Sequence, residues 1–417
     1  MIDRLRARLA AVLPTLRALG QWLALAGLTG LACGGAGAAF TWCVAKAAAL
    51  RAAHPWLLFL MPLAGLAIVF SYRAAGMEND SGTNQIIASV RGGERPPVRL
   101  APLIFLGSVL THLTGGSAGR EGAALQIGGS ISAGLGRLLR LGDRNLNTII
   151  QCGMAGLFSA LFGTPLTATV FALEVVNVGH FRYAALFPCL LSSLVANSIP
   201  RLLGLPAEAY HLGGLPELGP VPLLQCGGLS ILAALVSIAF CVLMHRTARL
   251  YKKHIPNQYA RALAGAALVI ALTLIEGSGD YNGAGGHIIE LAVEGRVHVP
   301  WAFAWKILFT ALTLGAGFRG GEIVPTLFIG STLGCAAAPL FGLDPAFGAA
   351  VSMIALFCGV VNCPLASIFL SIELFGGEGL LFFALASSVS FLVSGRYSLY
   401  SSQNIVYSKL EARLNDQ

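Results

Sequence analysis

Gly115-Gly116-Ser117-Ala118-Gly119-Arg120-Glu121-Gly122 is the stretch on which the reading of the whole chain turns. It follows an apolar run at 101–111 and precedes a second apolar stretch. A helix tolerates such glycine density poorly, since each glycine costs about 1 kcal/mol relative to alanine. The stretch therefore predicts a break, with Ser117 and the glycines at the turn and a new helix beginning near 120–122. The free backbone N–H groups and positive dipole end of that helix would face the break, which makes an anion site. Glu121 falls in its mouth. An ionisable residue inside a membrane segment is a functional candidate by default. An ionised carboxylate there competes with an anion for the donors; a protonated one vacates them. The alternative is a structural Glu121–Arg120 pair or a helix cap, with Arg120 chiefly a source of field.

That the surroundings are membrane follows from composition. The chain has 417 residues, 56% hydrophobic and only 11% charged, against roughly 25% charged in soluble domains. Runs with few or no charges recur at 19–45, 55–72, 101–119, 147–173, 183–200, 221–244, 262–275, 300–318, 323–343, 346–372 and 379–395. Most match the roughly 17–25 residues of a membrane helix, and the longer ones call for an internal break. Residues 1–18, with Arg4, Arg6, Arg8 and Arg17 among apolar side chains, read as a cytoplasmic amphipathic helix on the membrane surface. Arg246, Arg249, Lys252, Lys253 and Arg261 form a second cytoplasmic cluster. The net charge of +8 is thus topology, with the basic residues at segment ends and no single patch for nucleic acid. The nine cysteines make no CxxC pair and read as small buried hydrophobes, so neither a metal site nor a cofactor is expected.

The chain also repeats itself. Pro165-Leu-Thr-Ala-Thr-Val-Phe-Ala-Leu-Glu174 resembles Pro364-Leu-Ala-Ser-Ile-Phe-Leu-Ser-Ile-Glu373, with nine positions from Pro to Glu in both. Upstream, 125–130 resembles 327–332 in the same order. Duplicated halves mark secondary transporters, whose sites lie at the midplane between broken helices. The repeat sets 321–325 (Gly-Glu-Ile-Val-Pro) against 119–123, behind Gly315, Gly317, Gly320 and Gly321. A second helix N-terminus should therefore converge on the same site. Glu322 becomes a second intramembrane carboxylate, with pairing to Arg319 as its structural alternative. Glu174 and Glu373 end matching helices, which favours a shared structural role over proton transfer. His112 reads as a hydrogen-bonded core histidine before a proton relay.

These blocks together resemble the CLC family of chloride channels and anion/proton antiporters. Residues 119–122 match its Gly-Arg-Glu-Gly block with the gating glutamate. Residues 321–325 match its Gly-x-Phe-x-Pro block with Ile323 in the Phe place, and 398–401 resemble the segment of its central tyrosine, here Tyr400. Residues 82–86 (Gly-Thr-Asn-Gln-Ile) fall where most relatives carry Gly-Ser-Gly-Ile-Pro. That altered loop, Ala123 in a proline place, Glu322 before Ile323, and Val175 where chloride/proton exchangers carry an inner glutamate look like the fluoride/proton antiporter branch. Thr83 and Val324 depart from that branch, and Thr83 keeps the hydroxyl of the chloride type.

The resemblance implies an all-α polytopic membrane protein of two inverted repeats of tilted, partly broken helices. The transmembrane domain would span 19–405, with halves at about 19–215 and 216–405, followed by a short tail at 406–417 and no regulatory domain. It implies a homodimer in a cell membrane, the bacterial inner membrane being the expectation, and a transporter rather than an enzyme. The transport expected is fluoride export in exchange for protons, with a chloride/proton antiporter or chloride channel as the alternative. Glu121 would gate and carry the proton. Fluoride is costly to dehydrate, so a dry site must supply strong donors: the Thr83 hydroxyl, the Asn84 amide, the Tyr400 hydroxyl, and backbone N–H groups at 121–123 (including Gly122 and Ala123) and 323–325 (including Ile323 and Val324). Arg120 and Glu322 would support them, and Asn84 could equally cap a helix.

Overall fold

In a computed structural model, residues 2–205, 207–297 and 299–409 are described, with the backbone alone over 2–15. The first half runs through α1 (Ile2–Ala53), α2 (Met61–Ala74), α3 (Thr83–Val90), α4 (Leu100–Leu113), α5 (Glu121–Leu138), α6 (Asp143–Phe162), α7 (Pro165–Glu174) and α8 (Leu186–Leu202). The second runs through α9 (Pro220–His254), α10 (Gln258–Glu276), α11 (Gly286–Val293), α12 (Ala302–Gly315), α13 (Ile323–Ala337), α14 (Pro345–Val361), α15 (Pro364–Phe375) and α16 (Leu380–Val393). The order of long, short and broken helices recurs about 200 residues later. Among the described residues six helical stretches are long and apolar enough to cross a membrane, from Leu16–Ala53 to Ile323–Phe341.

Of the three runs longer than one span, two have the expected break, at equivalent places, while 19–45 lies unbroken within α1. The run 147–173 is α6 and α7, parted at Gly163 (φ +77°) before Pro165. The run 346–372 is α14 and α15, parted at Asn362 (φ +54°) before Pro364. A left-handed residue followed by a proline both ends one helix and starts the next. α3, α5 and α11 are helices that the apolar runs did not mark, because they are short or rich in glycine.

The two halves are inverted, and side chains hold them so. Glu174 at the end of α7 accepts the N–H groups of Leu365 (3.2 Å) and Ala366 (2.9 Å) at the start of α15. Glu373 near the end of α15 accepts those of Leu166 (2.9 Å) and Thr167 (2.8 Å) at the start of α7. The equivalent helices therefore lie antiparallel, each carboxylate filling the other's orphan donors. A negative charge at a partly buried helix N-terminus stabilises by up to ~2 kcal/mol. Glycines let the hairpins within each half close tightly. A Cβ on Gly128 of α5 would lie 2.1 Å from the Gly153 carbonyl of α6, and one on Gly334 of α13 the same distance from the Gly348 carbonyl of α14.

Some expectations shift. α1 is continuous through residue 18, so the backbone sets no boundary between a surface helix and the membrane domain. The side chains on which its amphipathic character rests, those of 1–15, lie outside the described residues. The chain is also not wholly helical: β1 (Asn177–Val178) pairs in parallel with β2 (Asn404–Ile405). Beyond β2, Lys409 Nζ donates to the Phe391 carbonyl (2.8 Å) and to Ser394 (3.0 Å) at the end of α16. Burial there lowers its ammonium to about 8. The segment bearing Tyr400 is thus strapped at both ends; residues 410–417 of the tail lie outside the described part.

Candidate functional site

The two glycine breaks meet. The Gly119 N–H donates to the Gly321 carbonyl and the Gly321 N–H to the Gly119 carbonyl, both at 2.7 Å. Each glycine lies just before a helix start, so the N-termini of α5 and α13 converge from opposite halves. The first N–H groups of each helix lack intrahelical acceptors. That leaves Glu121, Gly122 and Ala123 on one side and Ile323 and Val324 on the other; Pro325 has no N–H and contributes none. Ile323 and Val324 are buried, and Ala123 packs its methyl in a small apolar cluster with Ile104, Ile127 and Leu161.

Glu121 is the first residue of α5 and its side chain is fully buried. One carboxylate oxygen accepts the Arg120 backbone N–H at 2.9 Å, and the other lies 3.4 Å from Arg120 Nε. The structural pair with Arg120 therefore exists, and it exists in the mouth of the helix. A Cβ on residue 119 would come within 2.6 Å of the carboxylate, so Gly119 provides its seat. Arg120 also donates through Nη2 to Glu208 (2.9 Å) and to the Leu161 carbonyl (3.2 Å).

Glu322 does not pair with Arg319. Asp80 takes that guanidinium at 2.8 Å, and it lies 3.7 Å over the Tyr72 ring. Oε2 of Glu322 is buried without a hydrogen-bond partner among the described residues, and a Cβ on Gly122 would lie 3.0 Å from it. Two carboxylates from the two halves thus flank the Gly122 backbone.

Thr83 begins α3 beside Gly122, but its hydroxyl is occupied. It donates to the Gly122 carbonyl (3.3 Å) and accepts from Gln126 Nε2 (3.3 Å). Asn84 neither caps α3, whose cap position is Gly82, nor presents its carbonyl oxygen to the site. That oxygen accepts the Ser402 N–H at 2.9 Å, tying the altered loop to the Tyr400 segment. Tyr400 is 2% exposed and its hydroxyl has no partner among the described residues. His112 is buried, with Nδ1 2.8 Å from the Ser108 carbonyl, the core role.

Three further side chains belong to this region. Gln126 lies one turn into α5 and bonds both Thr83 and the Gly122 carbonyl. Lys306, fully buried in α12, donates to the carbonyls of Tyr281 (3.2 Å) and Gly283 (2.7 Å) and lies 4.9 Å over the Phe328 ring. As the one charge in the run 302–315 it was a visible signal. Glu208, on the linker between halves, had none. A cavity of about 940 Å³ reaches Arg51, His112, Arg120, Glu208 and Val324. Among the described residues no three His, Cys, Asp or Glu side chains are grouped to hold a metal.

Residues 64–395 match the family described as Voltage gated chloride channel. Over 401 residues the chain is 35% identical to the chloride/fluoride channel protein of Pseudomonas syringae pv. tomato, covering 94% of this chain and 88% of that one. A crystal structure of a CLC-type fluoride/proton antiporter aligns with a TM-score of 0.90 and 32% identity, over 93% of this chain and 98% of that chain. A slow cyanobacterial Cl−/H+ antiporter aligns at 0.77 with 23% identity, over 89% and 94%, a likeness of fold alone. The agreement runs nearly end to end and takes in both glycine breaks: the chain belongs to the voltage gated chloride channel family, CLC.

Proposed function

We propose that this chain is a proton-coupled anion transporter that moves fluoride out of the cell in exchange for protons, with Glu121 as gate and proton carrier. The observation that carries the reading is the seat of Glu121. Its carboxylate takes a backbone N–H at 2.9 Å in the mouth between two opposed helix N-termini. An anion arriving there needs the same donors. Ionised, Glu121 fills the place; protonated, it loses its claim and swings toward the cavity lined by Arg120, leaving the site to the anion. One side chain then alternates the two substrates. The inner constriction is assigned to Thr83 and Tyr400, with Glu322 shaping the field across Gly122.

Fluoride is favoured over chloride because the Gly-Thr-Asn loop and the Gly-Glu-Ile block resemble that branch. The relatives named above, a chloride/fluoride channel protein and a fluoride/proton antiporter, support the same direction. We read the protein as a carrier rather than an enzyme, since the duplicated breaks bring two opposed helix N-termini together at one donor-lined junction. A homodimer in the bacterial inner membrane, one pore per subunit, completes the proposal.

The test is flux from liposomes reconstituted with the protein, read with fluoride, chloride and pH electrodes. Fluoride should leave faster than chloride, with protons moving the opposite way. Equal chloride flux without proton movement would make this a chloride channel and end the antiporter reading.

A further inference from the structure

Arg120 serves two carboxylates at once. Its Nη2 lies 2.9 Å from Glu208 and 3.2 Å from the Leu161 carbonyl, which leaves Nε to meet Glu121 at 3.4 Å. A free guanidinium grips a carboxylate with two parallel bonds; here the grip on Glu121 is single and long. Glu208 is not a loose surface acid. Its N–H donates to the Phe162 carbonyl (3.2 Å), and the Tyr210 N–H donates to the Leu374 carbonyl (2.8 Å). The linker between halves is thus stitched to the end of α6 on one side and to α15 on the other. The Glu208 side chain is 26% exposed and lines the cavity into which the gate would swing.

We propose that Glu208 is a positioning residue for the gate: by holding and neutralising Arg120 it keeps that guanidinium from locking Glu121 in the mouth, and so sets the pH at which the gate takes its proton. This inference rests on the reading of Glu121 as a proton-carrying gate. The other charged or titratable groups around the pair are Tyr210 on the linker, Glu290 on α11, His112 on α4, Arg51 at the end of α1, Lys306 on α12, Glu322 before α13 and Tyr400. Of these, Glu208 is the acid that touches Arg120 besides Glu121 itself. Without its charge, Arg120 turns its uncompensated cation on Glu121. A nearby cation favours the ionised carboxylate, so proton uptake by the gate then requires more acid.

The experiment compares wild type with Glu208→Gln, which keeps the shape and removes the charge, in liposomes, measuring proton-coupled fluoride flux across a pH series. The midpoint of the Glu208→Gln profile should shift to lower pH by at least ~0.5 unit, the scale of a neighbouring charge in a partly solvated site. Glu208→Asp, which restores the charge, should bring the midpoint back toward wild type. Should Glu208→Gln not assemble, Glu208→Ser removes the same charge and is held to the same shift. An unshifted midpoint, or an equal shift in Glu208→Asp, overturns the inference. Absence of coupled flux in wild type would instead overturn the reading of the gate itself.

Discussion

Glu121 and Gly321 meet across the two halves with no room between them. A methyl on residue 321 would lie 2.2 Å from the Gly122 nitrogen and 3.2 Å from the Glu121 nitrogen. Those are backbone atoms of a buried helix start, which cannot turn aside as a flexible side chain would. Gly321→Ala should therefore part the helix mouths, at the roughly 1–3 kcal/mol typical of overpacking. We expect a lowered melting temperature in detergent and at least a ten-fold loss of flux in liposomes; a variant that melts and transports like wild type would mean the two breaks need not touch. At this scale the glycine density at 115–122 and 315–321 was legible, because a break is a local property of backbone propensity. The partners of the charges were not. Arg319 finds Asp80, 239 positions away, and Arg120 finds Glu208, 88 positions away. Neighbours in sequence, Glu322 and Glu121, had been the natural candidates, and one of the two pairings does not form.

Among elements, α7 and α15 test how the halves hold together. Each ends in a glutamate that fills two donors of the other's first turn. If these carboxylates are structural, Glu174→Gln and Glu373→Gln should each lower the melting temperature by roughly 0.3–2 °C, from the ~0.3–2 kcal/mol of a charge at a helix N-terminus. Proton movement per fluoride in liposomes should stay at the wild-type ratio in both. Loss of coupling in Glu174→Gln alone would make it a proton carrier instead. The Pro-to-Glu repeat was visible in the sequence and already favoured a shared role. That each glutamate caps the opposite helix could not be read there, since periodicity reports the face a residue occupies and not which distant element covers it. The same limit hid α3 and α11, two helices of 8 residues whose apolar content is too short to stand out.

Across the molecule, inverted halves turn two weak features into one site. A single glycine-rich turn exposes one set of helix N–H groups; its inverted copy brings the second set, and the reciprocal Gly119–Gly321 hydrogen bonds fix the two mouths against each other. Thr83 and Tyr400, which the resemblance assigns to the same site, lie on segments far apart in the chain, joined by the Asn84–Ser402 bond. The resemblance placed these residues near the site; in the structure the Asn84 carbonyl oxygen takes the Ser402 N–H and the Thr83 hydroxyl bonds the Gly122 carbonyl. What remains at the centre is the carboxylate of Glu121. Glu121→Gln keeps its size and cannot carry the exchanged proton, so proton and fluoride movements measured together in liposomes under an imposed fluoride gradient test the account most directly. The account predicts fluoride flux with proton flux reduced to the background of protein-free vesicles; protons still moving with fluoride at the wild-type ratio would contradict it.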